Sequence, residues 1–266
     1  MPYAHNHGTR IYYQMEGNGP PLVLHHWSFA TLESWYDYGY VAALEMDYHL
    51  ILLDARGHGN SDKPHNPEAY DLKHRVGDIV AILDDQGIAQ AHFFGYSMGG
   101  WIGFGVALYA PARFKSLIIG GQHPYAQSLN DGRQLLQYGI EHGAKGFIEI
   151  WERERGTLSP VQRKRVLKYD FAALLAAAQD RPSLEAMLPT MSVPSLLVVG
   201  DMDSACRAAQ ECVQQMPNAK LVTLSGLDHG ESIRRSDLMV PHITSFLTTV
   251  DQSQKFVSLR ERNFVK

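Results

Sequence analysis

The stretch AHFFGYSMGGWIGFGVALY, residues 91–109, constrains the fold more than any other part of the chain. A short apolar strand (91–97) runs into small residues, and a helix-like segment follows from Trp101 to Tyr109. The join, GYSMGG, fits Gly-x-Ser-x-Gly. A chain turns from strand to helix this tightly only where missing side chains let backbones approach each other. Other segments repeat the strand signal. PLVLHH after Pro20, HLILLD (49–54), FKSLIIGG (114–121), SLLVVGD (195–201) and AKLVTLSG (219–226) are short apolar runs, as buried strands are. TRIYYQMEG (9–17) alternates and ends in a Gly/Asn/Pro turn, as an antiparallel strand does. Between strands, residues 71–86 place Leu72, Val76, Ile79 and Leu83 on one helical face, with Gly87 as a stop. Residues 237–250 read as a closing helix. The pattern predicts an α/β fold with a mostly parallel sheet and helices on both faces.

Residues 123–191 break the rhythm. They hold helical segments at 135–142, 147–155, 161–178 and 184–188, separated by Gly, Ser-Pro and Arg-Pro, and no convincing strand. The expected organisation is a core of 1–122 and 192–266 with a helical insertion of 123–191. The 266 residues are 45% hydrophobic and 20% charged, ordinary for a globular protein with a sizeable core. A net charge of −4 gives no basic field for nucleic acid. No apolar run reaches the roughly 18 residues of a membrane span, and FAALLAAA (171–178) is too short. The first residues lack the charged-then-apolar order of a signal peptide. Cys206 and Cys212 fall on one helix, six residues apart, which points them to different faces and disfavours a disulfide. A cytoplasmic location follows as the expectation. Neither a metal nor another cofactor is expected.

The chemistry concentrates at strand ends. Ser97 sits in the tight turn, where the following helix offers backbone N–H groups to a developing oxyanion. A serine nucleophile needs a base, and the base an orienting acid. His229, in GLDHGES, follows the last strand, and Asp203, in VVGDMDSA, follows the one before it. All three would lie beyond the carboxyl ends of strands, where ligands of open α/β sheets gather. Asp201 competes with Asp203 but reads better as a turn residue, because the acid loop needs length to reach the histidine. Asp228 adjoins His229 and reads as solvated loop.

Together these motifs resemble the α/β-hydrolase superfamily over nearly the whole chain. GYSMGG is similar to its nucleophile elbow, DARGHGNS (54–61) to its D-x-R-G-x-G-x-S loop, VVGDMD and LDHG to its acid and histidine loops, and the helical insertion to its cap. The resemblance implies a mostly parallel, eight-stranded type of sheet flanked by helices, a Ser97–Asp203–His229 triad and a fold-shaping role for Asp54, Arg56 and His58. It also places VLHHWS (23–28) at the loop where the family carries His-Gly. His25 would brace that loop, and the backbone N–H groups of Trp27 and Met98 would form the oxyanion hole. His26 stands where glycine is usual, so the loop either changes path or stores strain at positive φ. His26 then packs, donates to the substrate or narrows the acyl pocket; a metal role lacks further ligands.

The expected activity is hydrolysis of a small carboxylic ester or lactone through an acyl-serine. Carbon–carbon cleavage, acyl transfer, perhydrolysis and slow-turnover ligand reception are the alternatives. The serine elbow argues against the aspartate-dependent dehalogenase and epoxide hydrolase types. Trp27, Phe29, Tyr96, Trp101 and Tyr125 near the motifs suggest an apolar or aromatic acyl group, with Tyr96 and Tyr125 as pocket candidates. The expected partner is a small molecule rather than a membrane or nucleic acid, and a homodimer is compatible with the reading.

Overall fold

The computed structural model describes residues 2–264. Eight strands form one sheet: β1 (Tyr3–Asn6), β2 (Thr9–Glu16), β3 (Pro21–His25), β4 (His49–Leu53), β5 (Ala91–Tyr96), β6 (Phe114–Gly120), β7 (Ser195–Gly200) and β8 (Ala219–Leu224). Their order is β1-β2-β4-β3-β5-β6-β7-β8. The β1–β2 and β2–β4 pairs are antiparallel and the others parallel. β1 carries no legible strand signal of its own: its four residues are held by the register Tyr3↔Tyr12 to Asn6↔Thr9 with β2.

The helices are α1 (Glu33–Asp37), α2 (Tyr40–Leu44), α3 (Leu72–Asp85), α4 (Met98–Tyr109), α5 (Asn130–Arg155), α6 (Pro160–Val166), α7 (Phe171–Ala177), α8 (Cys206–Gln215), α9 (His229–Arg234) and α10 (Ser236–Phe264). Alternate residues of the central strands feed two cores. Val23, Ile51, Phe93, Ile119 and Leu197 pack toward α3, α4 and α8. Leu24, Leu52, Phe94, Ile118 and Val198 pack toward α1, α2 and α10. A strand with both faces covered is apolar on both faces, which is why these strands read as continuous apolar runs. Cys206 and Cys212 share α8, and both are buried and unpaired.

The insertion is helical, with one difference from the sequence expectation. The expected break between 135–142 and 147–155 is present: α5 is two helical segments joined across Gly143, whose φ of 71° and ψ of −177° are not helical. Residues 161–178 are two helices, because the chain leaves α6 after Val166 and Asp170 recaps α7, its carboxylate accepting from Ala173 N–H. Leu135, Leu136, Phe147, Leu158, Val166 and Leu174 give the cap its own apolar cluster. No helix among the described residues is long and apolar enough to cross a membrane.

The topology fixes where a site can form. β3 lies between β4 and β5: the chain runs from β3 to β4 on one side and then crosses to β5 on the other, and a crevice opens at the carboxyl ends there. The loops after β3, β5, β7 and β8 all face that end, and the cap covers it.

Candidate active site

Ser97 follows β5 and has φ 52°, ψ −109°, a region that non-glycine residues occupy only when the surroundings enforce it. The enforcement is visible in its neighbours. A Cβ on Gly95 would stand 2.2 Å from the Gly99 carbonyl oxygen, and one on Gly99 would stand 2.2 Å from the His25 carbonyl oxygen. These glycines are required by close backbone approach. The Ser97 N–H donates to Gly120 O at 2.8 Å, and the Ser97 carbonyl accepts from Trp101 N–H at 2.9 Å. The turn is thus tied to β6 on one side and to the first turn of α4 on the other.

His229 opens α9, just after β8. Its Nδ1 lies 2.7 Å from Asp203 Oδ2. A carboxylate only accepts, so Nδ1 donates and Nε2 keeps its lone pair. Asp203 is 5% exposed and its other oxygen accepts from Ala205 N–H at 2.9 Å, so the carboxylate is held from both ends. Tyr96 supports the histidine from below: its hydroxyl donates to the His229 carbonyl at 2.6 Å, and the two rings lie 5.3 Å apart. The competing acids are engaged elsewhere. Asp201 accepts from Gly226 N–H at 2.7 Å and closes a turn. Asp228 caps α9 through a reciprocal capping box with Glu231.

Ser97 and His229 open on one cavity of about 990 Å³ between sheet and cap. Its walls include Trp27, Phe29, Tyr96, Met98 and Trp101 from the core, and Leu136, Phe147, Trp151 and Tyr169 from the cap. No hydrogen bond joins Ser97 Oγ to His229 among the described residues, an arrangement common before a substrate draws the two together. Tyr125 does not reach the cavity: it packs against the core beside α8, where its hydroxyl accepts from Gln215 Nε2 at 3.0 Å. Phe171 belongs to the cap's own cluster.

His25, the last residue of β3, and His26 together brace Trp27. His25 Nδ1 lies 3.0 Å from the His26 carbonyl oxygen. That carbonyl and the Trp27 N–H share one planar trans peptide and point opposite ways, so holding the oxygen aims the N–H. His26 Nε2 accepts from Ala55 N–H at 3.0 Å, which leaves Nδ1 to donate to the Trp27 carbonyl at 2.8 Å. His26 is fully buried, and both ring nitrogens are spent on backbone. It has neither the position nor a free donor to touch a substrate, and no positive φ arises there. The strain sits instead at Phe29, with φ 61°. Burial pushes His25 down to about 3 and lowers His26, against the pull of Asp54.

DARGHGNS forms a buried knot. The Asp54 carboxylate accepts from Leu32 N–H at 2.9 Å and Asn60 N–H at 2.8 Å. Arg56 pairs with Asp78 at 2.5 Å. His58 reaches the cavity wall, with its ring 5.0 Å from His26. Two further cavity residues, Arg75 and Arg181, carry no motif: Arg75 reads as a polar position of α3 and Arg181 as half of a helix-breaking Arg-Pro.

Residues 20–149 match a family model described as alpha/beta hydrolase fold, and residues 172–255 one described as TAP-like protein. The chain belongs to the α/β-hydrolase superfamily. It is similar to the enol-lactonase from Burkholderia xenovorans LB400, with 27% identity and a TM-score of 0.78, over 93% of this chain and 100% of that one. A hydrolase from Pseudomonas aeruginosa PA01 shares 26% identity with a TM-score of 0.79, over 92% and 97%. Among curated proteins, the putative 2-succinyl-6-hydroxy-2,4-cyclohexadiene-1-carboxylate synthase of Bacillus subtilis (strain 168) is 24% identical over 90% of this chain and 96% of its own length. Among α/β-hydrolases, the chain thus has relatives that act on small molecules.

Proposed function

We propose that the protein is a serine hydrolase that cleaves a small carboxylic ester or lactone through an acyl-serine intermediate. The observation that carries this reading is the buried Asp203 holding His229 at 2.7 Å, in the cavity that the strained Ser97 shares. Ser97 Oγ attacks the carbonyl carbon and His229 Nε2 takes its proton. The oxyanion that forms is stabilised by the N–H groups of Trp27 and Met98. On collapse, the alkoxide leaves with the proton from His229; in a lactone it stays tethered to the acyl group. Water then gives its proton to His229 and adds to the acyl carbon; the bond from that carbon to Ser97 Oγ breaks, His229 returns the proton to Oγ, and the carboxylic acid leaves. Asp203 holds the imidazole in the required tautomer and stabilises its cation.

The 27% identity to a protein described as an enol-lactonase supports lactones within this class. A second reading, carbon–carbon chemistry on the same triad, is supported by the B. subtilis relative, which is named as a synthase. A panel of aryl ester, thioester, lactone, amide and β-diketone substrates separates the two. Replacement of Ser97 by Ala is expected to lower kcat/KM on the preferred class on the order of ten thousandfold, and wild-type protein is expected to show an acyl adduct on Ser97 by mass spectrometry. Undiminished turnover in the Ser97→Ala protein overturns the mechanism.

A further inference from the structure

Arg181 takes no part in the acyl-transfer chemistry, yet it is held in the cavity wall at a position where a cation is costly. It is 7% exposed. Its backbone is locked to Gln127 in both directions, at 3.0 and 2.9 Å, and Nη1 donates to Gln127 Oε1 at 2.8 Å. The guanidinium carbon stands 5.3 Å from the centre of the Trp101 ring. Nε and Nη2 have no protein acceptor, and no carboxylate pairs with this arginine, among the described residues. The adjacent Asp180 is already taken by Arg133 at 2.6 Å. Burial, reinforced by the positive charge of Arg75, pushes Arg181 down to about 9. Arg75 offers no relief, being wired to the carbonyls of Tyr70 and Ala177 at 2.7 and 2.6 Å.

The surroundings point the same way. A buried cation without a counter-charge is unfavourable. Arg181 lies on the cavity wall over the Trp101 ring, and its unspent edge, Nε and Nη2, is satisfied by a group that only accepts and carries negative charge. One guanidinium fork matches the two oxygens and single charge of a carboxylate; a phosphate dianion would stay half neutralised.

We propose that Arg181, held over the Trp101 ring, forms a carboxylate subsite, so that the ester or lactone cleaved at Ser97 carries a second, free carboxylate. The position of the scissile bond rests on the hydrolase reading above; the subsite itself does not. Trp101 lies one helical turn beyond Ser97, to whose carbonyl its own N–H bonds, so the two carboxyl carbons of the preferred acyl group are separated by a short chain.

The test uses para-nitrophenyl half-esters of succinate, glutarate and adipate against the matching methyl diesters, which differ only by the free carboxylate. Wild type is expected to prefer the half-ester for at least one chain length. Arg181→Met is expected to lower the half-ester to diester ratio of kcat/KM by roughly tenfold to hundredfold, and Arg181→Lys to lower it less. A wild-type ratio of one or below at every length overturns the subsite, as does an equal loss on both substrates in Arg181→Met. The conservative Lys variant decides the matter if Arg181→Met does not fold. Binding separates the two readings: free glutarate and adipate should raise the Tm of the Ser97→Ala protein and not that of Ser97→Ala/Arg181→Lys to the same degree. Such binding without any esterolysis removes the hydrolase reading and keeps the subsite. Ser97-dependent turnover of diesters with neither ratio nor binding removes the subsite alone.

Discussion

At the scale of single residues, the site is built by matching each side chain's capacity to donate or accept. Asp203 can only accept, and so fixes His229 with Nδ1 protonated. Asp201, two residues earlier, closes a surface turn. The two aspartates therefore predict opposite outcomes. Asp203→Asn turns an acceptor into a group that can equally donate, disorders the imidazole tautomer and is expected to lower kcat on the order of ten thousandfold with the fold intact. Asp201→Asn is expected to cost less than about 1 kcal/mol in stability and to leave kcat within a few-fold. Paired kinetics and urea unfolding on the two proteins check this; a larger kcat loss in Asp201→Asn would mean that the acid has been assigned to the wrong residue. Much of this was legible in the sequence, because strand ends, a five-residue turn motif and chain order place Ser97, Asp203 and His229 without any tertiary contact. His26 was not. Its partners, Ala55 N–H and the Trp27 carbonyl, come from two different strand ends, and nothing in VLHHWS announces them.

At the scale of elements, the cap is fastened to the loop that would form the oxyanion hole. Phe29 holds φ 61°, a conformation that costs a bulky residue about 1–3 kcal/mol. Three cap contacts maintain it. The Tyr169 hydroxyl donates to the Phe29 carbonyl at 2.6 Å, and the Phe29 ring lies 5.4 Å from Trp151 and 5.8 Å from Phe147. Tyr169→Phe removes the hydrogen bond and keeps the rings. The expected result is a stability loss of about 1 kcal/mol, faster hydrogen exchange at residues 27–31 and a several-fold lower kcat/KM, since Trp27 lies two residues away. Unchanged exchange in that loop would show that ring packing alone holds it. The strands and α3 were legible from periodicity. The cap's breaks were less so: Leu167 to Asp170 holds no Gly or Pro to mark an end, and α7 starts afresh where the Asp170 side chain caps Ala173 N–H at 3.0 Å. Arg181 shows the same limit, for an Arg-Pro pair reads as a helix break, while the lack of a charge partner is a property of the folded cavity wall.

At the scale of the whole molecule, three histidines make the fold sensitive to acid. His25, His26 and His58 are buried together, with ring centres 5.6 and 5.0 Å apart along the series. Burial lowers all three, His25 to about 3 and His58 well below its ordinary value, and each proton taken up would repel the next. In the unfolded chain each titrates near 6.5. Between these limits the unfolded state binds protons that the folded state refuses, so stability is complete above about pH 6.5 and falls as pH drops toward the folded values. Each histidine contributes a slope of up to about 1.4 kcal/mol per pH unit. The loop that would form the oxyanion hole hangs on this cluster through the Trp27 peptide, so acid should loosen that loop together with the sheet rather than before it. His58→Asn keeps a donor for the Arg56 carbonyl, which His58 Nδ1 approaches at 3.1 Å, and removes one titrating group. Urea unfolding from pH 7.5 down to 4.5 is expected to give a shallower decline for this variant, by up to about one proton's worth of slope. Carboxylate contributions are common to both proteins and cancel in the difference. Parallel curves would mean that His58 gains water or a counter-charge before the fold opens.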